Sequence, residues 1–116
     1  MFYRRKYYRV KKEFVESFNE LFNNINLPSQ LAHGSRLVGR WMCEEIENTV
    51  EIFAIWEYDS YQAYVDIESN VRNDKQHVKK VNDWYEQHGG KEFVQKKFFV
   101  KVKNEEIIST IKKVDG

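Results

Sequence analysis

The segment 49–58 constrains the fold most, because it has the composition of a β-strand and is apolar on both of its sides. Successive side chains of a strand point to opposite faces of the sheet. Five residues share one face of this segment: Val50, Ile52, Ala54, Trp56 and Tyr58. Phe53 and Ile55 lie on the other face. A strand with water on one side alternates cleanly between apolar and polar residues, so the sequence predicts a sheet that is covered on both faces.

Three further strands are predicted around this one. Residues 2–10 alternate and are rich in tyrosine and valine, and residues 36–45 lead into the central strand through a hairpin connection at 45–48. Near-period-2 spacing predicts a fourth strand that carries Val94, Phe98, Val100 and Val102.

Two helical regions separate the strands. The first has an apolar stripe at helical spacing, formed by Phe14, Val15, Phe18, Leu21, Phe22 and Ile25. Pro28 ends or restarts this helix because it has no N–H group to donate, and Gly34 stops the turn that follows. The second region begins at Ser60, is interrupted at 73–74, where Asp74 can cap a new helical segment, and stops at 89–90. The order β-α-β-β-α-β predicts an α+β, ferredoxin-like fold with a four-stranded antiparallel sheet.

Two helices cover only one face of such a sheet. The apolar residues on both sides of segment 49–58 require a cover for the second face as well. A second copy of the sheet, packed face to face, is the simplest cover. The sequence therefore predicts a symmetric homodimer.

A chain of 116 residues has the size of one domain. We expect this domain to span 1–103 and to be followed by a polar C-terminal tail, 104–116. Aromatic residues make up 16% of the chain, more than a small core needs, which favours a cavity or a partner surface.

Several classes of function are disfavoured by composition. A net charge of +1 provides no field that would attract nucleic acid or an anionic membrane. No stretch approaches the roughly 18 apolar residues of a membrane span, and the N-terminus lacks a secretory pattern, so we expect a cytoplasmic protein. Cys43 is the only cysteine, which excludes an intramolecular disulfide and a cysteine-based metal cluster. We expect no metal and no cofactor.

The order and spacing of several short motifs resemble the NIPSNAP family over roughly residues 2–100. The central motif runs from Leu27-Pro28 through Gln30 and His33-Gly34 to Leu37-Val38-Gly39-Arg40-Trp41. A second motif is Ile55-Trp56-Glu57-Tyr58-Asp59-Ser60, followed by Arg72 and Asp74. The opening strand, with Tyr3, Arg5 and Tyr7, is similar to the first strand of the family.

The resemblance implies a dimeric α+β barrel, in which two ferredoxin-like sheets face each other. It also implies a pocket between the sheet and the helices. Relatives in the wider superfamily include cofactor-free monooxygenases, haem-degrading enzymes and isomerases. The resemblance supplies no catalytic set that transfers residue by residue.

The candidate ligand-binding residues are Arg40, Trp41, Trp56, Glu57 and Tyr58. The three aromatic residues could line a small-molecule pocket, or they could be core and dimer-interface anchors. Arg40 and Glu57 are each adjacent to one of these aromatics, so both are expected on the opposite face, where they could pair across neighbouring strands. Such a pair would orient a carboxylate or phenol substrate in a pocket, or form a weak surface ion pair.

Histidine and basic residues suggest other candidate sites. His33 and His88 precede helix-ending glycines, and His77 could act as a proton shuttle or haem ligand, but their spacing matches no metal motif. Basic residues of the first and fourth strands are expected to lie side by side in the sheet. They could form an anion site, or they could prevent unwanted strand pairing at an exposed sheet edge. The central strand has Glu51 and Ile52 where RNA-recognition modules carry a basic residue and a glycine, so RNA binding is not expected.

Two hypotheses about function remain. In the first, a homodimer holds a small apolar or aromatic molecule between sheet and helices, in a pocket of at least about 300 Å³. Cofactor-independent oxygenation and isomerisation are then the candidate reactions. In the second, the chain is a non-catalytic interaction module whose aromatic residues only seal the dimer.

Overall fold

The computed structural model describes residues 1–112, and residues 113–116 of the expected tail lie outside the described part. Four strands form one antiparallel sheet in the order β2-β3-β1-β4. They are β1 (Phe2–Lys11), β2 (Arg36–Met42), β3 (Thr49–Tyr58) and β4 (Phe99–Ile107). This order and the helical connections confirm the predicted α+β, ferredoxin-like fold.

All helices lie in one layer. A continuous helical arm, residues 12–32, connects β1 to β2 and comprises a 3₁₀ turn (Lys12–Phe14), α1 (Val15–Leu21), a π-helical turn (Phe22–Asn26) and α2 (Leu27–Ala32). Between β3 and β4 lie α3 (Tyr61–Arg72), α4 (Lys75–Gln87) and α5 (Lys91–Phe98). None of the helices among residues 1–112 has the length and apolar composition that a membrane span requires.

Pro28 restarts the helical arm and does not end it. The preceding turn is widened, so that the N–H of Leu27 bonds to the carbonyl of Phe22, five residues back. Pro28 then falls in the first turn of α2, where a missing N–H is tolerated. The arm ends at Gly34, whose φ of +100° suits glycine.

The predicted helix starts in the second region are confirmed by their caps. The Ser60 side chain accepts a hydrogen bond from the N–H of Ala63, and the Asp74 side chain accepts one from the N–H of His77. Each bond satisfies a backbone donor that the first helical turn leaves unpaired.

The fourth strand begins later than predicted, because Val94 and Phe98 belong to α5 and not to a strand. Their separation of four residues places both on one helix face. Val94 is fully buried in the core beside Trp84, and Phe98 stacks on Phe14 with ring centroids 4.2 Å apart. Only Val100 and Val102 of the predicted set lie in β4.

The other boundaries also shift. β2 ends at Met42 instead of residue 45, and the connection closes with a turn in which Glu47 and Asn48 both have positive φ. β4 continues to Ile107, so the first residues of the expected tail pair with β1.

The predicted division of β3 into two faces agrees with the structure. Its five residues on the helix-covered face are all buried, whereas Phe53 and Ile55, on the outer face, are only partly buried. The helix-covered core has two clusters. One, around Trp84, includes Val10, Phe14 and Phe18; the other consists of Phe2, Ala54, Trp56 and Tyr58.

Candidate functional site

A β-bulge in β2 decides which side chains reach the interior. Leu37 pairs with Trp56, but the next paired residue, Gly39, is opposite Ile55, so Val38 is an extra residue. One inserted residue reverses the facing of every side chain that follows it in the strand. Arg40 consequently lies beside buried Ala54, on the helix-covered face.

The bulge separates the five candidate residues into two groups. Arg40, Trp56 and Tyr58 lie on the helix-covered face, with Trp56 only 2% exposed. Trp41 is opposite Phe53 on the outer face and is 48% exposed, and Glu57 lies on that face too. The structure therefore does not bring the five residues together.

The expected pairing of Arg40 with Glu57 is wrong, because the two side chains lie on opposite faces of the sheet. Glu57 instead accepts hydrogen bonds from the Tyr3 hydroxyl at 2.9 Å and from Arg36 Nε at 3.1 Å. Arg36 also binds Asp59 at 2.9 Å. The sequence alternation alone gave the wrong face for Arg40 because it contains no sign of the extra residue at Val38.

A largely enclosed cavity of about 170 Å³ lies between the sheet and the helical arm. Its volume is below the roughly 300 Å³ expected from the sequence for a ligand pocket. It is lined by Lys6, Tyr8, Phe18, Phe22, Asn26, Gln30, Arg40, Phe53, Ala54 and Trp56. Two of these, Arg40 and Trp56, are among the candidate residues.

Arg40 is the most unusual side chain of this cavity. Its Nη1 donates a hydrogen bond of 2.7 Å to Asn19 Oδ1, and its guanidinium lies 4.3 Å from the ring centre of Phe22 and 5.4 Å from that of Phe18. No carboxylate among residues 1–112 forms an ion pair with it. Burial lowers the pKa of Arg40 to about 10, because desolvation disfavours the charged form.

A second cation, Lys6, enters the cavity from β1 and is already paired. Its Nζ lies 3.6 Å from Oε1 of Glu68 on α3. The same oxygen accepts a hydrogen bond of 3.3 Å from Gln30, whose own oxygen accepts one of 2.6 Å from Ser35. This chain of polar contacts connects β1, α2 and α3 along one side of the cavity.

Trp56 and Tyr58 each contribute a buried polar atom. Neither the indole Nε1 of Trp56 nor the hydroxyl of Tyr58 has a hydrogen-bond partner among the described residues. Burial raises the pKa of Tyr58 to about 12, since the phenolate would be poorly solvated there. A buried donor without a partner carries a free-energy cost that a suitable ligand or water would remove.

Sequence reasoning missed most of the cavity lining. For Lys6 a signal was present: Lys6, Tyr8 and Val10 alternate along β1, and Val10 is a core residue, so Lys6 must face the helices too. Asn26 and Gln30 had no comparable signal, because their facing depends on the π-helical turn in the arm.

The outer face of the sheet carries an aromatic pair on β2 and β3, with charged side chains on the neighbouring strands. The Trp41 ring packs against Phe53, with centroids 5.6 Å apart. The Arg5 guanidinium lies 5.0 Å from the Phe53 ring centre and pairs with Glu105 on β4 at 2.8 Å. As expected, the basic strands β1 and β4 are neighbours, and β4 is an edge strand.

The histidines lie away from the cavity lining. His33 Nε2 lies 2.9 Å from Asp74 Oδ2, a contact that lowers the pKa of Asp74, and the N–H of His77 contributes to the same shift. His88 Nδ1 donates a hydrogen bond to the carbonyl of Trp84 near the end of α4. Burial lowers the pKa of His77. Among residues 1–112 no three side chains of the metal-binding types come together, and Cys43 is exposed.

Comparison with known proteins gives a consistent result. The NIPSNAP family model matches residues 3–104. An uncharacterized NIPSNAP domain protein from Burkholderia xenovorans is 16% identical, with a TM-score of 0.68 over 99% of this chain and 100% of that chain. A NIPSNAP family protein from Agrobacterium tumefaciens is 12% identical, with a TM-score of 0.71 over 94% of this chain and 92% of that chain.

A dimeric ferredoxin-like protein from an uncultured marine organism is also similar in fold. It is 18% identical, with a TM-score of 0.51 over 97% of this chain and 99% of that chain. The comparison with curated proteins gave no match.

Proposed function

The chain belongs to the NIPSNAP family, and on that basis we propose that it binds a small ring-bearing molecule in the cavity between its sheet and its helical arm. The main support for this proposal is the presence of the cavity. Packed protein interiors contain few voids larger than a water molecule. A largely enclosed space of about 170 Å³ among Phe18, Phe22 and Trp56 is therefore a feature that a bound molecule would explain.

The volume limits the size of the ligand. An apolar cavity of about 150 Å³ accommodates benzene, whereas drug-sized ligands occupy pockets of about 300 Å³ or more. The cavity thus suits one ring with a small substituent. Its polar lining, with Lys6, Gln30 and Arg40, would fix the orientation of that substituent.

Binding can be tested with benzamide, a neutral planar probe of this size, at millimolar concentration. The chain has three tryptophans, and their indole N–H signals can be followed by NMR. We expect the Trp56 signal to shift because Trp56 lines the cavity, while Trp84, in the other core cluster, stays unchanged. The substitution Trp56→Phe would assign the signal.

A matched pair of variants identifies the site. Ala54 is buried at the cavity, so Ala54→Val should reduce its volume and weaken the binding of benzamide. Ala32 is exposed at the end of α2, and Ala32→Val should leave binding unchanged. Equal affinities of the two variants, or a shift of Trp84 in place of Trp56, would contradict the proposal.

The proposal is confined to binding. The lining residues carry aromatic rings, the phenol of Tyr8, and amide, ammonium and guanidinium groups, all of which can bind and orient a ligand. Cofactor-independent oxygenation and isomerisation, which the family resemblance implies, would each need a group that takes or gives a proton at the ligand. We assign no such role to a residue.

We also propose that a second copy of the chain covers the outer face of the sheet in a symmetric homodimer. The supporting observation is Trp41, which is half exposed on the edge strand β2 and packs beside Phe53 of the central strand β3 on that face. Trp56 and Tyr58 lie beneath the helices, so Trp41 is the one of the three candidate aromatics positioned to seal a dimer. This second function, an interaction module, is compatible with ligand binding on the other face.

Light scattering at micromolar concentration tests the dimer. We expect a dimer for the native chain and a monomer for Trp41→Arg, because covering this face with a second copy would desolvate the new charge without giving it a partner. Leu31 is an exposed apolar residue in the helix layer, so Leu31→Arg is a matched control that should stay dimeric. If the native chain is monomeric by light scattering, the dimer proposal is wrong.

A further inference from the structure

We infer that the ligand of the cavity is a planar organic anion with a single carboxylate group, bound by Arg40. The inference rests on the proposed function and specifies the chemical class of the ligand. It starts from a charge that the described structure leaves unbalanced. Arg40 is brought into the helix-covered layer by the bulge at Val38, and its neighbours there are rings and amides.

A buried charge is costly unless it is paired and hydrogen-bonded. Asn19 and the ring of Phe22 compensate Arg40 in part, as a hydrogen-bond acceptor and as a cation–π partner. Neither carries a negative charge. An incoming anion would therefore find a partly buried cation that no carboxylate of residues 1–112 neutralises.

The other charged groups at the cavity limit the ligand to one negative charge. Lys6 and Glu68 already form an ion pair, and Gln30 holds the same carboxylate oxygen. Arg40 is therefore the cation left over, and a monoanion would balance it. A doubly charged group such as a phosphate monoester would bring one negative charge too many.

The geometry of the guanidinium selects a carboxylate. One face of the group is stacked near Phe22, and Nη1 is held by Asn19, so the orientation is fixed. Nε and Nη2 donate to none of the described side chains. These two donors form the fork that binds both oxygens of a carboxylate in one plane. The rest of the ligand would then lie among Phe18 and Trp56.

The test compares two probes that share size and shape but differ in charge, benzoate and benzamide. Both are titrated into the native protein at neutral pH, with the indole N–H of Trp56 as the readout. We expect benzoate to bind at least about tenfold more tightly, as charged hydrogen bonds to a partly buried group allow.

Three arginine variants locate the source of this preference. Arg40→Gln should remove it while benzamide still binds, and Arg40→Lys, which keeps the charge but not the fork, should retain only part of it. Arg36 lies on the outer face, paired with Glu57 and Asp59. Arg36→Gln is thus the matched control and should preserve the full preference. If Arg40→Gln does not fold, the Arg40→Lys result decides.

The outcomes separate this inference from the proposed function. Equal binding of both probes, with Trp56 shifted, would overturn the anion inference and leave the cavity as a binding site. A preference for benzoate that survives in Arg40→Gln, or disappears in Arg36→Gln, would also overturn it. Absence of any Trp56 shift with either probe would remove the binding function itself.

Discussion

Substitution of Val94 by alanine tests the assignment of residues 91–98 to a helix that packs on the core. Val94 is 0% exposed within the cluster around Trp84, whereas Val100, in β4, is 49% exposed. The spacing in the sequence suggested that both residues belong to the same face of one strand. In the structure the same substitution, valine to alanine, removes the same atoms from two very different environments.

The magnitudes follow from burial. Val94→Ala removes two buried methyl groups, about 0.8 kcal/mol each, and leaves a cavity that adds up to about 1 kcal/mol more. Better helix propensity returns about 0.5 kcal/mol, so we expect a loss of about 2 kcal/mol. At Val100 half of the side chain is already in water and no closed cavity forms, so the loss should be about 1 kcal/mol or less.

Urea unfolding followed by circular dichroism measures both free energies of unfolding under the same conditions. A dimer would make the midpoint depend on concentration, so the variants and the native chain are compared at one protein concentration. If Val94→Ala and Val100→Ala lower the free energy of unfolding equally, or if Val100→Ala lowers it more, the assignment of residues 91–98 to a core-packed helix is wrong.

Three further predictions concern titration and the outer face. Burial raises the pKa of Tyr58 to about 12, so the stabilising contribution of this residue is complete below about pH 10 and is lost as the pH approaches 12. Tyr58→Phe should therefore reduce the loss of stability at alkaline pH. Parallel curves of stability against pH for the variant and the native chain would contradict this. Because the pKa of Asp74 is lowered, the ionised side chain contributes stability that is present above pH 3.8 and lost in more acidic solution. In acid unfolding, Asp74→Asn should lose less stability than the native chain as the pH falls. An unchanged acid-unfolding profile would contradict this prediction. A Cβ at Gly39 would overlap the Trp41 ring. Gly39→Ala should therefore displace the ring, increase acrylamide quenching of Trp41 and lower the thermal midpoint, although replacing glycine by alanine normally favours a strand.

The parts of the fold that depend on local chemistry were predictable from the sequence. The two faces of β3 follow from a period of two, and Ser60 and Asp74 mark helix starts because their side chains accept backbone N–H groups nearby. Gly34 ends the arm for an equally local reason, its positive φ.

The fourth strand was predicted wrongly because two periodicities overlap. Val94 and Phe98 are spaced for a helix, while Phe98, Val100 and Val102 are also spaced for a strand. The sequence does not contain the deciding fact, which is that Val94 packs into the core beside Trp84 and Phe98 stacks on Phe14. Tertiary packing settled the choice.

The candidate site was predictable only in part. Trp56 faces the helices as the alternation of β3 requires, but Arg40 was expected beside Glu57, and Trp41 was grouped with Trp56. Both errors have one cause, because the segment from Leu37 to Trp41 gives no indication that an additional residue interrupts its alternation. A bulge is stabilised by the pairing of a whole strand, which no short motif encodes.

The extra residue in β2 also has a consequence for how relatives of this protein are compared. The π-helical turn of the arm has a similar effect on the other side of the cavity that Arg40 lines, because this turn sets the direction in which Gln30 faces. Deleting Val38 would turn the remaining side chains of β2 to the opposite face of the sheet. Those now under the helices would face outward and those now outside would face the helices, although no residue would be substituted. An alignment that places Arg40 opposite an arginine in an unbulged relative would equate residues on opposite faces. A gap of one residue in β2 therefore changes which side chains face the helices, and a score of sequence identity does not record that change.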